Sequence, residues 1–114
     1  MSDPLPPVAA LCREMVRIPS LSGDEGRLAA FVAERMAASG LDVGTDRFGG
    51  VLGVKRGSGP GPTLLLDAHL DTVPPAEPGA WTHDPFGGEV EGGRLRGLGA
   101  ADTKGSLAAM IEAA

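Results

Sequence analysis

Residues 64–74 read LLLDAHLDTVP. The three leucines follow GSGPGP, residues 57–62, which can only be a turn or loop. A short apolar run bounded by turn signals predicts a strand buried on both faces, as in the middle of an α/β sheet. The run ends in His69 and Asp71. Strand residues two apart point the same way, so both are expected on one face near the strand's carboxyl end. In open α/β sheets that end is where ligands bind. An aspartate beside a histidine can accept one ring N–H and aim the other nitrogen at a metal. The leucines would anchor a rigid strand and the strand would aim a polar pair into a cleft. The plainer alternative is a solvated strand end at which both residues only face water.

Upstream, PPVAALCREMVRIPS carries Val8, Leu11, Cys12, Met15 and Val16 at helical spacing, with Pro19 as the stop. Ser22 and Glu25 have the spacing of a capping box, in which each side chain satisfies a free backbone N–H. Leu28, Phe31, Val32 and Met36 form a stripe, and Gly40 suits the residue just past a helix end, so a helix is expected over about 23–38. LDVGTDRFGGVLGVKRG predicts two short strands joined at Phe48-Gly49-Gly50. Downstream, DTVPPAEPGAWTHDPFGG reads as a loop and GEVEGGRLRG as a hairpin through Gly92-Gly93. A last helix is expected after Asp102, with Leu107, Met110, Ile111 and Ala114 on a face that lacks part of its packing layer. Helix, strands and a further helix together predict α/β layering, a sheet flanked by helices.

Composition narrows the function classes. The 114 residues correspond to about one small domain, with 42% hydrophobic and 22% charged residues. A net charge of −5 disfavours a nucleic-acid partner, which would require a basic patch. No apolar run approaches the ~20 residues of a membrane span. The start MSDPLPPVAA lacks the basic segment of a signal peptide. The single cysteine, Cys12, has no internal partner for a disulfide, which fits a cytoplasmic location.

A second acidic signal stands in RGLGAADTKG, where Asp102 joins a hairpin to a helix among Gly97, Gly99 and Gly105. By itself Asp102 reads as a helix N-cap. Taken in order, LLLDAHLDTVP, WTHDPF and GLGAADTKG resemble the M20 family of metallopeptidases and deacylases, and REMVRIPSLSGDEGRLAAFVAERM resembles its amino-terminal helices. The resemblance covers nearly the whole chain. It implies a zinc-dependent exopeptidase-like fold, of which residues 1–114 would be the amino-terminal part of the metal-binding catalytic domain. It also implies roles: His69 ligates one metal, Asp71 is an active-site residue that orients His69, and Asp102 bridges two metals. The implied cofactor is a pair of Zn2+ ions, with Co2+ or Mn2+ as substitutes. The implied reaction is cleavage of an amide bond in a small acylated amino acid or peptide by a metal-activated water. The sequence departs from the family pattern at Arg96, Leu98 and Thr103, none of them an implied ligand.

A zinc ion takes about four ligands, so His69 and Asp102 alone are too few for two. The family's paired glutamates, one of them the general base, its remaining ligands and its dimerisation or lid domain would all lie beyond Ala114. The reading is therefore of an amino-terminal fragment whose parent would be a homodimer through that domain, with neither nucleic acid nor membrane as partner. His83 reads as a loop residue, Lys104 as a surface residue or one behind the site, and Glu77, Glu89, Glu91 and Glu112 as solvated. Two rivals are a non-catalytic M20-like binding protein and a nucleotide-binding α/β module built on RGLGAAD. In the second, Asp102 would stand where a glycine should meet pyrophosphate.

Overall fold

The computed structural model describes residues 3–114. Helix α1, Pro7–Val16, starts with proline at its first position, where the missing N–H costs nothing and φ is preset. Helix α2, Gly26–Ala38, ends in the expected manner, with Gly40 at φ 88 and its N–H donated to the Ala37 carbonyl. Strands β1, Asp42–Thr45, and β2, Val51–Val54, pair antiparallel. Asp46 sets their turn, its carboxylate accepting the N–H groups of Phe48 and Gly50. Strands β3, Glu89–Glu91, and β4, Arg94–Arg96, form a second antiparallel hairpin. Its turn residues Gly92 and Gly93 both have positive φ, as a tight two-residue turn requires. Helix α3, Gly105–Ala113, closes the order.

The core is helical. Leu11, Cys12, Met15 and Val16 of α1 meet Leu28 and Val32 of α2 and Leu107, Ala108 and Ile111 of α3, all buried. Each such large aliphatic chain contributes roughly 1.5–3 kcal/mol on leaving water. The β1–β2 hairpin lies against α2 at Gly53, where a Cβ would come within 2.8 Å of both Leu41 and Met36. No helix among the described residues is long and apolar enough to cross a membrane.

Three expectations are corrected and a fourth holds in part. The helix expected over about 23–38 forms as Gly26–Ala38, but no side chain caps it. Ser22 hydrogen-bonds elsewhere, and Glu25 accepts the N–H of Gly23 instead of closing a capping box. The buried central strand does not form: residues 63–70 belong to no ladder, and Leu64, Leu65 and Leu66 are 81%, 76% and 48% exposed. A strand needs a neighbour, and among the described residues the sheets are β1–β2 and β3–β4 only, so the leucines have no layer to enter. The apolar face of α3 is bare only in part: Leu107 and Ile111 pack on α1 and are 5% exposed, while Met110 is half-buried and Ala114 exposed. Lys104 is among the most buried side chains, at 1% exposure, because the turn into α3 tucks it under the end of α1.

Candidate functional site

An open cleft of about 980 Å³ lies between α2, the β1–β2 hairpin, residues 64–71 and α3, and His69 and Asp71 are in its lining. Although residues 63–70 pair with nothing, the residues that follow are held. Thr72 donates its N–H to the Ser20 carbonyl at 2.8 Å and accepts from the Ser22 N–H at 3.2 Å. These bonds make an isolated parallel bridge between Leu21 and Thr72. The buried Ser20 hydroxyl donates to the Leu70 carbonyl at 2.8 Å. His69 and Asp71 thus flank backbone fastened from one side by the segment between α1 and α2.

Asp102 arrives from the other direction. Gly99 turns the chain after β4 with φ 79, and a Cβ there would come within 2.6 Å of the Thr72 side-chain methyl. Only glycine allows both that backbone angle and that approach. The turn delivers residues 100–104 to α3, and within it Asp102 has extended backbone angles (φ −130, ψ 87) instead of helical ones. Asp102 is therefore no N-cap, and its side chain is 88% exposed.

The three residues singled out from the sequence meet at the His69 ring. Nε2 lies 2.9 Å from Asp102 Oδ1. Nδ1 lies 3.0 Å from the Asp71 carbonyl oxygen and 3.3 Å from its carboxylate Oδ1. The remaining Asp71 oxygen accepts the Ser22 hydroxyl at 2.5 Å. The hydrogen bond to Asp102, aided by that to the Asp71 carbonyl, raises the His69 pKa above the ordinary imidazole value. The Ser22 hydroxyl, with His69 as a smaller contributor, lowers that of Asp71. In the charged ring both nitrogens carry protons and both carboxylates are answered.

This donor set suits a divalent cation in part. With arms of ~2.0–2.1 Å and tetrahedral angles, two ligand atoms on one zinc stand roughly 3.3 Å apart. The 2.9 Å between His69 Nε2 and Asp102 Oδ1 is near that spacing. Asp71 on the opposite nitrogen is the arrangement that fixes a ligating tautomer. The set is incomplete, since no group of three or more His, Cys, Asp or Glu among the described residues is placed to hold a metal ion.

Other titratable residues are engaged elsewhere. The His83 ring donates to Glu89 and accepts from Arg96, each at 2.6 Å, and Arg96 also reaches Glu91 at 3.1 Å. Glu112 pairs with Arg35 at 2.7 Å. The RGLGAAD segment follows β4, an antiparallel strand of three residues, and not a parallel strand of the kind a dinucleotide fold places there. The sequence does not mark Ser22 as part of the site, because S-x-x-E before an apolar stripe is also the signature of a helix start. No local signal separates the two.

A family model described as peptidase family M20/M25/M40 matches residues 65–114. A succinyl-diaminopimelate desuccinylase of Methylobacterium sp. (strain 4-46) is 43% identical over 114 residues, covering 95% of this chain and 29% of the relative. Succinyl-diaminopimelate desuccinylases of Methylorubrum extorquens (strain PA1) and Methylorubrum populi (strain ATCC BAA-705 / NCIMB 13946 / BJ001) are each 40% identical, covering 99% of this chain and 30% of the relative. The chain therefore spans about three tenths of the length of these curated relatives. The segment similar to peptidase family M20/M25/M40 takes in His69, Asp71 and Asp102 together, and the identity to these desuccinylases runs along nearly the whole chain.

Proposed function

We propose that the chain supplies part of the metal-binding catalytic domain of a hydrolase that cleaves the amide bond of a small N-acyl amino acid or peptide. Succinyl-diaminopimelate, named for the relatives, is the leading substrate class. The observation that carries this reading is the His69 ring, with Nε2 at 2.9 Å from Asp102 and Nδ1 held by Asp71. In this reading His69 Nε2 and Asp102 would hold metal, and Asp71 keeps the Nδ1 proton so that Nε2 presents its lone pair. Zn2+ is the expected ion, and Co2+ or Mn2+ also suit nitrogen and oxygen donors. When bound, a metal pair polarises the scissile carbonyl and lowers the pKa of the attacking water toward ~7. The general base, the remaining ligands and any dimerisation or lid domain would be carried by other parts of a longer protein, cytoplasmic and homodimeric. The cleft of about 980 Å³ beside His69 and Asp71 provides apolar wall on which an acyl chain can rest.

Zinc titration and an amidase assay of the intact protein and two variants test this reading. His69→Ala is expected to abolish tight metal binding and turnover, while His83→Ala, whose ring is taken up by Glu89 and Arg96, retains both. Full activity after exhaustive chelation, or equal loss in the two variants, would overturn it.

A further inference from the structure

We propose that Ser22 is a positioning residue: its hydroxyl holds the Asp71 carboxylate in the orientation from which Asp71 fixes the His69 ring toward Asp102. The inference rests on the metal-site reading above. The Asp71 carboxylate divides its oxygens between two partners, Oδ2 taking the Ser22 hydroxyl at 2.5 Å and Oδ1 facing His69 Nδ1 at 3.3 Å. The Asp71 side chain is 39% exposed, and an aspartate's terminal torsion is broad, so packing alone does not set the carboxylate plane. A second hydrogen bond on the far oxygen does set it. Ser22 is itself immobilised, because its N–H donates to the Thr72 carbonyl and Thr72 donates back to Ser20, so hydroxyl and carboxylate are presented from two backbones tied to each other. The hydroxyl serves no helix cap, since α2 has no side-chain cap. The path runs from Ser22 to Asp71, to His69 Nδ1, and through the ring to Nε2.

The test compares Ser22→Thr, which keeps the hydroxyl, with Ser22→Val, its near-isostere without one, and Ser22→Ala, which removes bulk as well. All three are made in the intact protein beside His69→Ala. Binding of Co2+ alone is read by calorimetry and by its visible spectrum, and metal-free crystal structures of the same proteins are read for the His69–Asp102 contact. Affinity in Ser22→Val and Ser22→Ala is expected to fall about tenfold, within the ~10–100-fold typical of residues that orient a metal ligand. Ser22→Thr is expected to retain wild-type affinity, a rescue that loss of general packing would not give. Wild-type affinity in Ser22→Val or Ser22→Ala overturns the inference. If the wild type binds no Co2+, or His69→Ala binds equally well, it is the metal reading that fails. The crystal structures then decide on Ser22: a His69 ring still 2.9 Å from Asp102 in Ser22→Val overturns its role, and a displaced ring in Val but not Thr upholds it.

Discussion

Lys104 offers the sharpest test of how this fold is held together. Its side chain is 1% exposed, and Nζ donates to the carbonyls of Met15 and Ile18, each at 2.9 Å. These carbonyls lie at and just beyond the last turn of α1, where helical acceptors have no intrahelical partner. Lys104→Met keeps most of the stem and removes the ammonium. Met15 O still accepts the Ile18 N–H at 3.1 Å, so the larger loss is at Ile18 O. One acceptor left without its donor costs ~1–3 kcal/mol, and relief of the buried charge offsets part of this, so a net destabilisation of about 1–2 kcal/mol is expected. Lys104→Ala also removes three buried methylenes at ~0.8 kcal/mol each, which brings the expected cost to about 4 kcal/mol.

The same residue predicts a pH dependence. Burial lowers the Lys104 pKa below the ordinary lysine value, with Cys12 acting weakly in the opposite sense. Between the folded value and the unfolded one, the unfolded chain binds more protons than the folded one, so this group makes stability rise with pH across that window. Below the folded value the burial penalty is present in full. Urea unfolding followed by circular dichroism at neutral and alkaline pH, with equal m-values as a control, reads both effects. The wild type should gain stability toward the ordinary lysine pKa relative to Lys104→Met. Two results would refute the reasoning: a Lys104→Met protein as stable as wild type at neutral pH, or identical pH slopes in the two.

In the intact protein Asp71→Asn should weaken metal binding ~10–100-fold while leaving the fold unchanged by circular dichroism, because the amide keeps the shape but not the charge that holds the Nδ1 proton. Unchanged titration curves would remove Asp71 from that role. In the core, Leu28→Ala, at a side chain with 0% exposure, should cost about 2–5 kcal/mol in urea unfolding, and a loss under 1 kcal/mol would mean that α2 is not anchored there. The 114-residue chain by itself should show no amidase turnover above its own His69→Ala control, since no three metal-capable side chains among the described residues are placed to hold one ion. Metal-dependent turnover above that control would contradict this.

What the sequence determined by itself is what depends on neighbours along the chain. The stripe Val8, Leu11, Cys12, Met15 and Val16 recurs at helical spacing, and α1 buries the last four while Val8, in its first turn, stays exposed. Gly92-Gly93 can take positive φ at both positions, and the β3–β4 turn forms there. His69, Asp71 and Asp102 were legible as a set through family resemblance, and the fold brings them to one imidazole. Tertiary structure alone decided the rest. Ser22 has the spacing of a cap, yet its hydroxyl goes to Asp71, 49 positions away, because a competing acceptor from a distant segment is invisible to a local pattern. Lys104 looks solvated by type, yet it is buried where the Met15 and Ile18 carbonyls at the end of α1 can receive it. Leu64, Leu65 and Leu66 have the composition of a central strand, but burial is a property of a pair of surfaces, and among the described residues no strand lies beside them.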